Sequence, residues 1–187
     1  ESTKVTVEMP ETMGVPIHFN GPVTIPTGTL SGMALFKDGI ILENSQTVLT
    51  LDFLSPLYTL LDLNGGTIIL GSDLCFSNFC KLPSKGTIEG NGKSFLLRGD
   101  LVVEEEILLK SDLTIDGSLH KIKFIKNGRL TIEDGVTMTL KNVTFDNKVS
   151  QTPLLCNGPN SRIIVNGATL NLGNNFELGQ GYMLIES

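Results

Sequence analysis

The feature that most constrains this chain is a recurrence, about every twenty residues, of very short strands joined by turns of two or three residues. The cleanest copy is Gly128 to Asn147, which reads G-R-L-T-I-E-D-G-V-T-M-T-L-K-N-V-T-F-D-N. Leu130-Thr131-Ile132, Val136 to Leu140 and Val143-Thr144-Phe145 each alternate apolar and polar residues. Between them, Glu133-Asp134-Gly135 and Lys141-Asn142 carry turn chemistry, because Gly accepts positive φ and Asn tolerates the left-handed region. Successive strand residues face opposite sides, so Leu130, Ile132, Val136, Met138, Leu140, Val143 and Phe145 can share one interior. Thr131, Thr137, Thr139 and Thr144 then face outward, where β-branched residues sit well on a pleated surface.

Turns this short also suit hairpins, so the period has to decide the topology. Starts resembling Leu130 appear at Ile68, Ile88, Ile107, Ile163 and Leu184, giving steps of 20, 19, 23, 33 and 21 residues. Second strands follow at Phe95-Leu96-Leu97, Leu113-Thr114-Ile115, Val136 to Leu140 and Ala168 to Leu172. Third strands follow at Leu101-Val102-Val103, Ile122-Lys123-Phe124, Val143 to Phe145 and Phe176-Glu177-Leu178. The step of 33 is assigned to a loop insertion over 146–161, rich in Asn, Ser, Pro and Gly. A unit of this length with three strands is one coil of a parallel β-helix. L-T-I-D-G at Leu113 and L-T-I-E-D-G at Leu130 lie 17 residues apart, which leaves the assignment of faces open by one strand. The expectation is an all-β parallel β-helix (solenoid) of about six or seven coils, roughly 30 Å long at ~4.8 Å per strand. Ile88, Ile107, Leu130 and Ile163 are expected in one inward column, and Val103, Phe124, Phe145 and Leu178 in another.

Residues 1–22 read as an irregular N-terminal arm or cap, with three prolines after the alternating strand Thr3 to Val7. That strand is a candidate donor, free to pair with an exposed edge. Residues 23–187 read as a single β-helix domain, with irregular coils over 23–64 and regular coils over 65–187. A short helix over 55–61 is the one helical segment expected.

Hydrophobic residues at 40% and charged residues at 18% place the chain among folded proteins. A net charge of −6 without a Lys/Arg cluster argues against nucleic acid as a partner. No apolar run is long enough to span a bilayer, so membrane insertion is not expected. The chain begins at Glu1, which reads either as a secreted product whose signal peptide has been removed or as a trimmed piece.

Chemical motifs are scarce. His18 and His120 are the only histidines, neither near a nucleophile motif. K-G-T-I-E-G-N-G-K at 85–93 lacks the helix that a phosphate loop needs and reads as turns between strands. Glu104-Glu105-Glu106 reads as a solvated corner, since three successive carboxylates splay rather than converge on a cation. Asp112, Asp116 and Asp134 read as turn residues. Cys75 and Cys80 are close enough for a small disulfide loop, with buried free thiols as the other reading. Asn142-Val143-Thr144 fits a glycosylation sequon at a corner. No catalytic, cofactor or metal residues are assigned.

G-T-I, L-T-I-E-D-G-V-T-M-T-L-K-N-V-T-F and A-T-L-N-L-G-N-N-F resemble secreted right-handed β-helix surface proteins of the autotransporter-passenger and bacterial surface-repeat type. The resemblance spans about Gly65 to Ser187. Gly65-Gly66-Thr67-Ile68 is similar to the G-G-A-I element of chlamydial polymorphic outer-membrane proteins, and Phe124-Ile125-Lys126-Asn127 to their F-x-x-N element. The polygalacturonase and pectate-lyase patterns are absent. The resemblance implies a right-handed coil and an extracellular, cell-surface scaffold that is not an enzyme.

A self-associating structural or adhesive protein is therefore expected, with a host or matrix carbohydrate or protein as a further partner. Head-to-tail contacts would run between a strand at Thr3, Lys4, Val5, Thr6 and Val7 and an uncapped strand at Tyr182, Met183, Leu184 and Ile185. The alternative is a carbohydrate-binding or polysaccharide-cleaving solenoid using paired carboxylates on its flank. The near-absence of Tyr and Trp platforms (two and none) disfavours it.

Overall fold

Alternation in strands this short can bury only one residue in two, so each strand needs neighbours above and below to complete an interior. The computed structural model supplies them by coiling; it describes residues 5–8, 17–19, 22–32, 34–53, 56–147, 152–173 and 176–186. The chain forms about seven turns of a β-solenoid, and every strand pairing among the described residues is parallel. No helix occurs among the described residues. The fold is thus the expected all-β solenoid, and over 56–61, the described part of the anticipated helix, none forms: Leu57 and Leu60 bridge to strands, and Leu61 opens one.

Three faces make up the wall. The first stacks β1 (Val5–Glu8), β4 (Gly28–Gly32), β7 (Val48–Phe53) and β9 (Thr67–Leu70). It continues through the first half of β12 (Gly86–Leu97), the first half of β14 (Glu106–Asp116), β16 (Arg129–Ile132) and β19 (Leu154–Cys156). The second face stacks β2 (Ile17–Phe19), β5 (Ala34–Phe36), Leu57 and β10 (Leu74–Phe76). Above these come the second halves of β12 and β14, then β17 (Thr137–Lys141), β20 (Arg162–Asn166) and β22 (Tyr182–Glu186). The third face stacks β3 (Val23–Ile25), β6 (Ile40–Leu42), β8 (Leu61–Asp62) and β11 (Cys80–Leu82). It ends with β13 (Leu101–Val103), β15 (Lys121–Phe124), β18 (Thr144–Asn147) and β21 (Thr169–Asn171). β12 and β14 turn the first corner without a break in pairing, which merges two faces into one 12-stranded sheet.

The core is a set of columns running along the axis. Leu49, Ile68, Ile88, Leu109, Ile132 and Cys156 are in register on the first face, and all are buried. Leu101, Ile122, Phe145 and Leu170 form a column on the third. Of the expected columns, Ile107 beside Leu130 and Val103 beside Phe124 are in register, and the other neighbours are corrected. Ile88 sits beside Leu109 rather than Ile107, and Phe145 beside Ile122 rather than Phe124. The Phe124 and Phe145 rings still touch, with centroids 5.1 Å apart.

Two segment boundaries change. The supposed insertion over 146–161 contains β19, which pairs with β16, so Leu130 is followed by Leu154 and Ile163 stacks on Met138. Thr169–Asn171 consequently belongs to the third face, and Leu178, whose carbonyl accepts from Cys156 N–H at 2.7 Å, extends the first. Within residues 1–22, two segments are paired into the coil: β1, with register Val5↔Gly28, and β2, with register Ile17↔Ala34, are the first described rungs of two faces. The remainder of the expected arm lies outside the described residues.

Corners follow the turn chemistry. Gly135 has φ 78° and Asn142 φ 47°, as the E-D-G and K-N signals require, and Asn64 and Asn91 also take positive φ.

Candidate functional site

The C-terminal rung is where the repeat stops being self-satisfied. Met183 and Ile185 continue the inward columns Met138–Ile163 and Leu140–Val165. Val165 is 5% exposed, yet Ile185, one rung further in the same column, is 82% exposed. Among the described residues nothing lies over it, and β22 is the last strand in its sheet order, with one edge unpaired. Leu184 adds further exposed apolar surface, and Tyr182 lies 5.5 Å from the Arg162 guanidinium. An inward-phase isoleucine in water, beside a row of free N–H and C=O groups, is an edge able to accept another strand.

The N-terminal partner expected for that edge is not a detached strand. Val5, Thr6 and Val7 are already paired to β4, and Thr3 and Lys4 lie outside the described residues. β1 also belongs to the first face, whereas β22 belongs to the second. The two strands proposed as partners from sequence therefore do not lie on one line; the strand below β22's column is β2. Sequence reasoning missed β2 because Ile17-His18-Phe19 is short and lies between prolines.

The acidic residues act as stitches between turns. Asp73 Oδ1 accepts the Ser94 N–H at 2.7 Å, Asp112 Oδ1 the Thr137 N–H at 2.7 Å, and Asp134 Oδ1 the Asn160 N–H at 2.9 Å. Asp116 caps its own turn through the Ser118 N–H at 3.1 Å. Each stitch satisfies a corner amide that strand pairing leaves over. The Glu104-Glu105-Glu106 corner is more ordered than a solvated one. Glu104 is 7% exposed and paired with Lys126, Glu105 faces the Asn127 amide, and Glu106 accepts from Thr131 Oγ1 at 2.5 Å. Arg129 Nε is 3.4 Å from Glu106 Oε1, an ion-pair distance without hydrogen-bond geometry. The signal that could have revealed these pairings is the step of about twenty residues from each acid to its partner.

Asp100 is the most elaborated stitch. Burial works to raise its carboxyl. Hydrogen bonds from Lys123 Nζ at 2.6 Å and Lys121 N–H at 3.0 Å, with the charges of Lys123 and His120, prevail and hold it below the usual carboxylate range. A carboxyl depressed by folding stabilises the fold above its unfolded pKa and loses that contribution as pH falls through the folded value. Asp100→Asn is accordingly expected to lower the urea midpoint at neutral pH and to flatten its decline below about pH 4. Parallel acid limbs for the variant and the parent chain would count against this.

The expected Cys75–Cys80 bridge is not formed. Cys75 stands at the outward phase of β10, between buried Leu74 and Phe76, while Cys80 faces inward on β11. All three cysteines are free thiols. Burial pushes the Cys80 thiol up to about 12, against the lowering effect of backbone hydrogen bonds at Lys81 and Leu61, and burial also raises Cys156. A thiol reagent at neutral pH should therefore titrate Cys75 in the native protein, with Cys80 and Cys156 reacting only after denaturation. Rapid native reaction of Cys80, identified by peptide mapping, would contradict this placement.

Asn142 is an exposed corner residue, a position that a glycosylated Asn could occupy. His120 Nδ1 lies 4.0 Å from Asp100 Oδ1. His18 lies on β2, in register with Leu35. The 85–93 stretch runs through β12, with Asn91 and Gly92 at positive φ, as a corner within a strand.

A shallow groove of about 480 Å³ runs over the first face, lined in part by Lys85, Thr87, Glu106, Leu108, Thr131 and Asn157. Its Thr87, Leu108 and Thr131 are adjacent rungs of one outward column. With both the open rung and the groove described, comparison of the chain with protein-family models, with curated proteins and with solved structures finds no match.

Proposed function

We propose that this chain is a structural β-solenoid of an extracellular or cell-surface layer, of the kind its repeats resemble, and that it associates end to end. The observation that supports this reading is Ile185, an inward-column residue 82% exposed on a strand with an unpaired edge. Covering it removes apolar surface from water and pairs the β22 edge in one step. The stitching of aspartates and glutamates into the corners fits a scaffold better than a hydrolytic pair.

The test is the mass of the chain in solution. Light scattering after size exclusion should show a concentration-dependent series of oligomers, and Ile185→Lys should shift it to monomer without moving the melting midpoint. A chain that stays strictly monomeric at high concentration sinks the reading.

One observation favours the second reading, a carbohydrate-binding or carbohydrate-cleaving solenoid: the groove over the first face, with hydroxyl, amide and charged groups along its walls. A reducing-sugar and unsaturated-product assay against a panel of polysaccharides, with binding followed in parallel, decides it.

A further inference from the structure

We propose that the groove over the first face binds a neutral, linear polysaccharide along the solenoid axis and holds it without cleaving it. This rests on the carbohydrate reading given second above and narrows it to one ligand class and to binding alone.

The lining comes from six successive turns, from Ser45 at the corner before β7 to Asn157 just after β19. Five steps of ~4.8 Å make the groove roughly 24 Å long, which suits a chain rather than a compact small molecule. Gly65 contributes no side chain and keeps it open between Ser45 and Lys85. Nearby corners spend their polar side chains between turns: Ser84 Oγ donates to Asp62, and Ser111 Oγ to Asn91 Oδ1 at 3.3 Å. In the groove, by contrast, the side chains of Ser45, Thr87 and Asn157 have no hydrogen-bond partner among the described residues, and Lys85 has no ion pair. Along the outward column Thr87, Leu108, Thr131 and Leu155 follow one another rung by rung. Hydroxyl and aliphatic rungs thus alternate, as do the hydroxyl edges and C–H faces of sugar rings.

Pairing and charge narrow the occupant. An extended peptide cannot add as a strand here, because β7, β9, β12, β14 and β16 are each paired on both sides. Lys85 and Glu106 are the charged lining residues, one of each sign. The Glu106 carboxylate already accepts from Thr131 Oγ1 at 2.5 Å and lies 3.4 Å from Arg129 Nε. On a chain of net charge −6, a balanced groove offers a polyanion no attraction, so the ligand is a neutral one. Hydrolysis of a glycosidic bond ordinarily uses two carboxyl groups ~5–9.5 Å apart, and the groove lining supplies one.

The experiment is calorimetric titration of the chain with cellohexaose, xylohexaose and maltohexaose as neutral probes and hexagalacturonate as the acidic one. At least one neutral probe should bind, about tenfold or more tighter than hexagalacturonate, with no new reducing ends on prolonged incubation. The combined variant Lys85→Gln, Thr87→Val, Asn157→Ala removes three free polar groups and should weaken that binding about tenfold or more. Its melting midpoint should stay in place, because none of the three side chains is buried. Thr139→Val, on the outward side of the second face, should leave binding unchanged. Tighter binding of hexagalacturonate, new reducing ends, or neutral binding that the combined variant leaves intact overturns this inference while the carbohydrate reading stands. If no probe binds, neutral or acidic, both fall together.

Discussion

Replacing Phe145 by Ala should destabilise the chain by about 3–5 kcal/mol, the usual cost of removing a buried aromatic from a close-packed core. Phe145 is fully buried on β18, between Ile122 below and Leu170 above, and its ring packs against Phe124. The loss combines transfer of the ring to water with the void left behind. Parallel rungs are tied to one another by backbone pairing, so the wall can collapse into that void only partly. A comparable truncation at the open end should cost far less, because Ile185 is already exposed. Urea midpoints of Phe145→Ala and Ile185→Ala measured side by side check both statements. An unmoved midpoint for Phe145→Ala would remove it from the core.

Gly39 should be the least replaceable glycine of the corners. It has φ 102°, and a Cβ there would lie 2.3 Å from the Leu60 carbonyl oxygen, on the next turn. That same oxygen accepts the Ile40 N–H at 2.9 Å, one of the bonds that hold adjacent turns together. A methyl group cannot enter without prising the rungs apart. Gly39→Ala should cost about 2–6 kcal/mol, combining backbone strain of roughly 1–3 with overpacking of roughly 1–3. Gly135 provides the comparison, since its φ is 78° but nothing lies within 4 Å of its absent Cβ. Gly135→Ala should show only the left-handed backbone penalty, about 1–2 kcal/mol. Equal thermal shifts for the two variants would mean that contact between turns at Gly39 carries no weight.

Most of what local chemistry encodes could be read directly. Leu130-Thr131-Ile132 and Val136 to Leu140 alternate, so they are strands with a known inner face; Gly135 and Asn142 mark the corners between them. Recurrence at about twenty residues then leaves a parallel coil as the arrangement that buries every inner face.

What sequence did not determine is which strand lies on which. Strand alternation has a period of two, so Ile107 and Leu109 are equally inward, and the pattern is unchanged when the register slides by two residues. A slip by a whole strand preserves it too. Leu154-Leu155-Cys156 was therefore invisible as a rung inside a loop-rich segment, and Ile163 took its place above Leu130. Pairing between turns settles these choices, and the corner contacts agree with it: Asp134 accepts from the Asn160 amide, and Lys126 pairs with the Glu104 carboxylate. The same holds for the site. Sequence marks Tyr182 to Ile185 as a terminal strand and Thr3 to Val7 as another. That Val5 to Val7 and β22 belong to different faces, and that Ile17-His18-Phe19 shares the face of β22 instead, follows only from counting turns around the axis, which is a property of the closed coil.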